Sequence, residues 1–294
     1  MTDILGEDMD IPQDRDYAAE IPSVAAKEAP VEKSPLFKKI DDALMNKVAL
    51  FNNSYARYAA RSMLATLFLT LGTAAAFGTA IQAEKFLPGS GKFTFAFMFS
   101  WSLVMIIFMG AELGTSNMLF MTVGVYRKKL KFSKAAKILG TTLLFNLIGG
   151  IIFAYMVSLT GPFQDLPAGN YLFTGIAAKL SKSSIQIFVE AIFANVIVNT
   201  AFFINLRMKD DAGKVMAIIF VIFIFAFLGY EHVIANFPAF SLAFFASHGT
   251  IPGMTLVSVI HNLFFALIGN YVGGGLLIGM TYAWLNRTKT SYVD

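Results

Sequence analysis

Two carboxylates stand in the middle of long apolar stretches, and each has the same neighbours. Residues 110–117 read GAELGTSN and residues 229–236 read GYEHVIAN, so Gly110, Glu112 and Asn117 recur as Gly229, Glu231 and Asn236. A carboxylate and an amide are costly in hydrocarbon, and a glycine there weakens a helix, so a duplicated set at membrane depth points to function. His232 adjoins the second carboxylate. Imidazole is the one side chain that ordinarily titrates near neutral pH, and in an apolar passage it can donate a hydrogen bond or a proton to a small carboxylate. Glu112 and Glu231 are expected to be structural, accepting from backbone N–H groups freed where their helices break. Asn117 and Asn236 are expected to cap the half-helices that follow.

The elements that must carry these residues are membrane helices. Hydrophobic residues make up 56% of the chain and charged residues only 14%, against roughly 25% charged in ordinary globular chains. Mean hydropathy is +0.63. With no Cys, disulfides, zinc–thiolate sites and thiol catalysis are excluded, and no metal, cofactor or nucleic-acid partner is implied. Six apolar segments are expected near Ala59–Ala83, Phe95–Tyr126, Ala135–Leu159, Ser184–Leu206, Met216–Ser247 and Leu256–Leu285, each about 20 residues or more, the length a bilayer requires. The second and fifth are too long for one simple span and hold the repeated motif. Each should therefore be two half-helices joined by an irregular link, the second halves starting near Ser116 and near Phe237 with Pro238 in the first turn. Such half-helices would aim free N–H groups at one place.

Charge sets the orientation. Arg127, Lys128, Lys129, Lys131, Lys134 and Lys137 follow the second span, and Arg207, Lys209 and Lys214 the fourth. By the positive-inside rule both termini are cytoplasmic, in a multi-pass protein of the cell (plasma or inner) membrane. Residues 1–34 hold nine acids and three bases and read as a disordered acidic tail rather than a signal peptide. Residues 35–55 place Leu36, Phe37, Ile40, Leu44, Val48 and Phe51 on one helical face, as an amphipathic interfacial helix would. Residues 56–286 form the six-span domain, and 287–294 a short cytoplasmic tail. A second repeat supports the architecture: Asn146, Gly149 and Gly150 spell NxxGG, as do Asn270, Gly273 and Gly274. The expected fold is all-α and polytopic, six helices in an inverted 3+3 repeat with broken second and fifth helices, and the site lies between the halves. The 23 glycines, concentrated in the spans, suggest close packing of helices.

AELGTSN, GYEHVIANF and GNYVGGGL resemble segments of the formate/nitrite transporter family, over about residues 36–286. The resemblance implies an aquaporin-like protomer within a homopentamer. It also implies one pore per protomer for small monovalent anions such as formate, nitrite, lactate, acetate or hydrosulfide, or for their neutral acids. His232 matches the central pore histidine, Thr115 and Leu113 the loop of the broken second span, Asn195 a pore asparagine beside the histidine, and Asn270 another in the sixth span. Phe99 and Leu103 resemble a cytoplasmic constriction, Leu113 and Phe225 a periplasmic one, and Lys179 a vestibule lysine that would concentrate anions. Gly114 departs from the family, which usually has Phe there.

Other classes lack their parts. The chain has no Walker A sequence and no Ser–His pair or aspartate pair within its spans, so neither ATP-driven transport within this chain nor intramembrane proteolysis is indicated. A neutral-solute channel of aquaporin-like type is the nearest alternative, although the chain has SNM and ANF where paired Asn-Pro-Ala would stand. Glu190 has no partner in the other half, and His248 and His261 are expected to face solvent.

Overall fold

The computed structural model describes residues 34–287; expectations for residues 1–33 and 288–294 fall outside them. The described residues are helical throughout, with no strand among them. Six helices are long and apolar enough to cross a membrane: α2 (Tyr55–Phe86), α3 (Gly91–Phe108), α5 (Phe132–Ser158), α7 (Ser184–Arg207), α8 (Asp211–Leu228) and α10 (Leu256–Leu285). Shorter helices complete the set: α1 (Pro35–Asn53), α4 (Gly114–Tyr126), α6 (Tyr171–Leu180) and α9 (Val233–Ala246). The second apolar segment is thus α3 plus α4, and the fifth α8 plus α9, each broken at its motif.

Both breaks begin on a glycine with positive φ, Gly110 at 61° and Gly229 at 73°. A side chain is strained there, and glycine lets the chain leave the helix in one residue. Leu113 and His232 then adopt extended backbone before the next helix starts. The restarts come earlier than expected, at Gly114 and Val233 rather than near Ser116 and Phe237. Pro238 consequently lies inside α9 rather than in its first turn, because His232 itself caps the helix: its Nδ1 accepts the Ala235 N–H at 3.1 Å.

α1 has the expected apolar face, but protein covers it. Leu36, Phe37, Ile40, Leu44 and Phe51 are buried in a cluster with Leu119, Phe120, Val123, Ala135 and Ile138, so this face meets α4 and α5 instead of lipid. Burying each such side chain contributes about 1.5–3 kcal/mol relative to water, and Arg127 ties α4's end to Asp41 at 3.0 Å. α6 was not foreseen. Asn170 caps it, accepting from Leu172 and Phe173 N–H, and Leu172, Phe173 and Ile176 bury against α9.

α2 packs on α3 and α5, α7 on α8 and α10, and α3 on α8. The NxxGG glycines allow this closeness: a Cβ on Gly149 would stand 2.5 Å from Thr66 Oγ1, and one on Gly273 2.1 Å from the Ile192 carbonyl. These contacts lie within the chain, so these glycines serve protomer packing and carry no argument about assembly. The middle of α10, Tyr271–Met280, is π-helical and lies against α4.

Candidate functional site

Each break is held by a buried carboxylate with side-chain partners. In the first, Glu112 is 4% exposed; its Oε2 accepts from Lys47 Nζ at 2.7 Å and Asn117 Nδ2 at 3.0 Å. Asn117 Nδ2 also reaches Tyr58 Oη and Thr142 Oγ1. In the second, Glu231 is fully buried. Its Oε1 accepts from Lys182 at 2.7 Å, and its Oε2 from Asn236 at 2.7 Å and Asn262 at 3.3 Å, with Lys179 Nζ 3.1 Å away. The expectation that these carboxylates accept freed backbone N–H groups is corrected: lysines and amides occupy them.

The backbone is served by the NxxGG asparagines instead. Asn146 Oδ1 accepts the Gly114 N–H at 2.8 Å, and its Nδ2 donates to the carbonyls of Ser62 (2.6 Å) and Glu112 (3.0 Å). Asn270 repeats this bond for bond, accepting from Val233 N–H at 2.8 Å and donating to Ala191 (2.8 Å) and Glu231 (3.1 Å). Asn117 and Asn236 therefore do not cap; they orient the glutamates, and Asn146 and Asn270 satisfy the new helix starts.

Between the breaks, His232 Nε2 and Thr115 Oγ1 lie 2.8 Å apart. Since His232 Nδ1 accepts a backbone N–H, the neutral ring carries its proton on Nε2 and donates it to Thr115. His232 also lines an apolar cavity with Leu69, Phe99, Ser102, Leu103, Leu113, Val198, Ile222, Phe225 and Ala235. The four residues expected to form two separate constrictions share this one cavity, and Phe99 faces Phe225 directly, ring centroids 6.0 Å apart.

Asn195 and Asn270 stand behind the histidine. Asn195 Nδ2 donates to the carbonyls of Asn270 (2.7 Å) and Thr115 (3.2 Å), fixing the loop that carries Thr115. Lys179 pairs with Glu231 and is not among the residues that line this cavity. Gly114 leaves no opening: a Cβ there would point at Leu143 Cδ2 (2.8 Å) and Ile234 Cδ1 (3.2 Å), not into the cavity. His248 is exposed as expected, whereas His261 is half-buried against Ser184 Oγ at 2.8 Å.

Several participants had no motif to mark them. Lys47, Tyr58, Thr142 and Asn262 lie outside the repeated octets, and Lys182 looked like any loop lysine. Glu190, without a repeat partner, accepts from Lys182 at 2.5 Å and from Gln186 at 2.9 Å. Burial lowers the pKa of Lys179 against the pull of Glu231. At Lys182 burial acts the same way, but Glu231 and Glu190 outweigh it and the pKa is raised.

Residues 34–284 match the family model described as formate/nitrite transporter. The uncharacterized transporter YwcJ of Bacillus subtilis is 29% identical over 252 residues, covering 85% of this chain and 96% of YwcJ. A solved structure described as an FNT family ion channel superposes with a TM-score of 0.78 at 25% identity, covering 85% of this chain and 98% of that one. A second, described as a pentameric formate channel with formate bound, gives a TM-score of 0.67 at 22% identity, covering 80% and 98%. Six apolar helices, two motif-centred breaks and a match across nearly all the described residues together make this chain a member of the formate/nitrite transporter family, a family of membrane transporters and not of enzymes.

Proposed function

We propose that the chain passes small monovalent anions of the formate and nitrite type through one pore per protomer, and that they cross the apolar cavity as neutral acids hydrogen-bonded to His232. The observation that carries this is His232, whose Nε2 lies 2.8 Å from Thr115 Oγ1, on the wall of a cavity otherwise lined by apolar side chains and Ser102. An anion alone would be expensive among Phe99, Leu103, Leu113 and Phe225, whereas a neutral acid is far less so. The occupied Nδ1 favours hydrogen-bond donation over proton transfer, because a proton on Nδ1 would leave the Ala235 N–H without its acceptor. Lys179 on the flank of Glu231 would gather the anion.

The matched bonding of the two breaks supports an inverted 3+3 repeat. The Lys and Arg distribution supports cytoplasmic termini in the cell membrane, and the likeness to a pentameric formate channel supports a homopentamer. The test is radiolabelled formate uptake into proteoliposomes from about pH 5 to 8, with nitrite, lactate, acetate and hydrosulfide as competitors. His232→Asn keeps an N-cap acceptor and an N–H donor. It should fold, lose on the order of tenfold in rate, and keep the shape of the pH profile. A flattened profile would instead make the imidazole a proton donor, and a rate equal to the parent's would remove His232 from the pathway. Glycerol or water flux without anion flux would establish the neutral-solute alternative.

A further inference from the structure

We propose that Lys182, held by Glu190, is the fixed counter-ion of Glu231, and that it thereby frees Lys179 to exchange its carboxylate partner for an incoming anion. This rests on the anion-transport reading above and adds two positioning residues to it, neither of which lies in a repeated motif.

The two lysines differ in how their donors are used. Lys182 Nζ has three N–H groups and three acceptors: Glu190 Oε2 at 2.5 Å, Glu231 Oε1 at 2.7 Å and the Gly229 carbonyl at 3.0 Å. It is saturated, and it ties α7 to the break between α8 and α9. Lys179 Nζ has one acceptor among the described residues, Glu231 Oε2 at 3.1 Å, and its side chain is 23% exposed against 15% for Lys182. That same Oε2 also accepts from Asn236 and Asn262. If Lys179 turns away, Glu231 keeps a cation on one oxygen and two amides on the other, so no buried charge is left alone.

The first break has no such reserve. Among the described residues Glu112 has a single lysine, Lys47, and losing it would leave a buried carboxylate with neutral donors only. The cation surplus is therefore confined to the break that carries His232. Glu190 completes the balance: two lysines and two glutamates form a neutral cluster, so an added anion meets an available ammonium without net repulsion.

Charge balance makes the two substitutions act in opposite senses, which a merely structural role would not. In proteoliposomes of the full chain, Lys182→Met should raise the KM for formate on the order of tenfold with Vmax within about twofold, because Lys179 becomes bound to Glu231. Glu190→Gln should lower KM about threefold, because the cluster gains a positive charge. Substitutions that both raise KM, or that change Vmax alone, would overturn the proposal. Acylation of the purified full chain by acetic anhydride, followed by mass spectrometry, gives a readout independent of transport. Lys179 should react before Lys182, and more slowly in Lys182→Met than in the parent. Lys182 reacting first would overturn the proposal. Should Lys182→Met fail to fold, Glu190→Gln and the parent's labelling order decide. Should the parent take up no formate, the labelling order still decides, and the transport reading falls by itself.

Discussion

Asn146 and Asn270 each satisfy three backbone groups with one side chain, a helix-start N–H and two carbonyls in different segments. Replacing either by Ala strands those groups in a buried site, at roughly 1–3 kcal/mol for each one left unmade. Asn146→Ala and Asn270→Ala should therefore lower the melting temperature in detergent to a similar extent, and formate uptake should fall with them. A variant that melts with the parent would show water or a neighbour replacing the amide. At this scale the sequence was partly legible. Period and identity singled out both asparagine pairs, because their spacing repeats. Which pair caps and which holds a carboxylate depends on the crossing of α5 and α10 over the breaks, and no local pattern encodes that. Lys182 and Glu190 were silent for a related reason: nothing in their spacing marks a link lysine and a helix glutamate as partners, or shows that the second break comes to meet that lysine.

Among the elements, the breaks were legible because two apolar runs exceeded a bilayer's reach and carried polar residues at their centres. α6 was missed because ten residues between spans read as a loop, and the π-helical stretch Tyr271–Met280 has no signal beyond three adjacent glycines. The amphipathic face of α1 was legible but not what covers it, since hydrophobic periodicity reports a buried face and not what buries it. Close approach of α7 and α10 yields a direct prediction. Gly273→Val would put a Cβ 2.1 Å from the Ile192 carbonyl, a backbone atom that cannot swing aside. It should abolish the folded peak in size-exclusion chromatography. Gly78→Ala, with nothing within 4 Å of the new methyl, should elute and melt with the parent.

For the whole molecule, fold class was the most legible level, because composition, span length and duplicated motifs all pointed one way. Assembly was not legible from glycine content, which the packing within the chain accounts for. A pentamer predicts a protein mass in detergent near five times 32.2 kDa by light scattering, and a mass of one protomer would exclude it. The bonding around the two breaks has a consequence for synthesis. Glu112, Gly114 and their partners Lys47, Tyr58, Ser62, Asn117, Thr142 and Asn146 all fall within residues 47–146, whereas Glu231, Val233 and theirs, from Lys179 to Asn270, fall within 179–270. Each half is thus self-sufficient in the polar contacts that make its break tolerable in lipid, and the polar bonds linking the two breaks run through Thr115, from His232, Asn195 and Asn199. A ribosome can therefore hand the membrane a finished first half before the second has emerged, leaving Thr115 as the place where the nascent chain waits for its histidine.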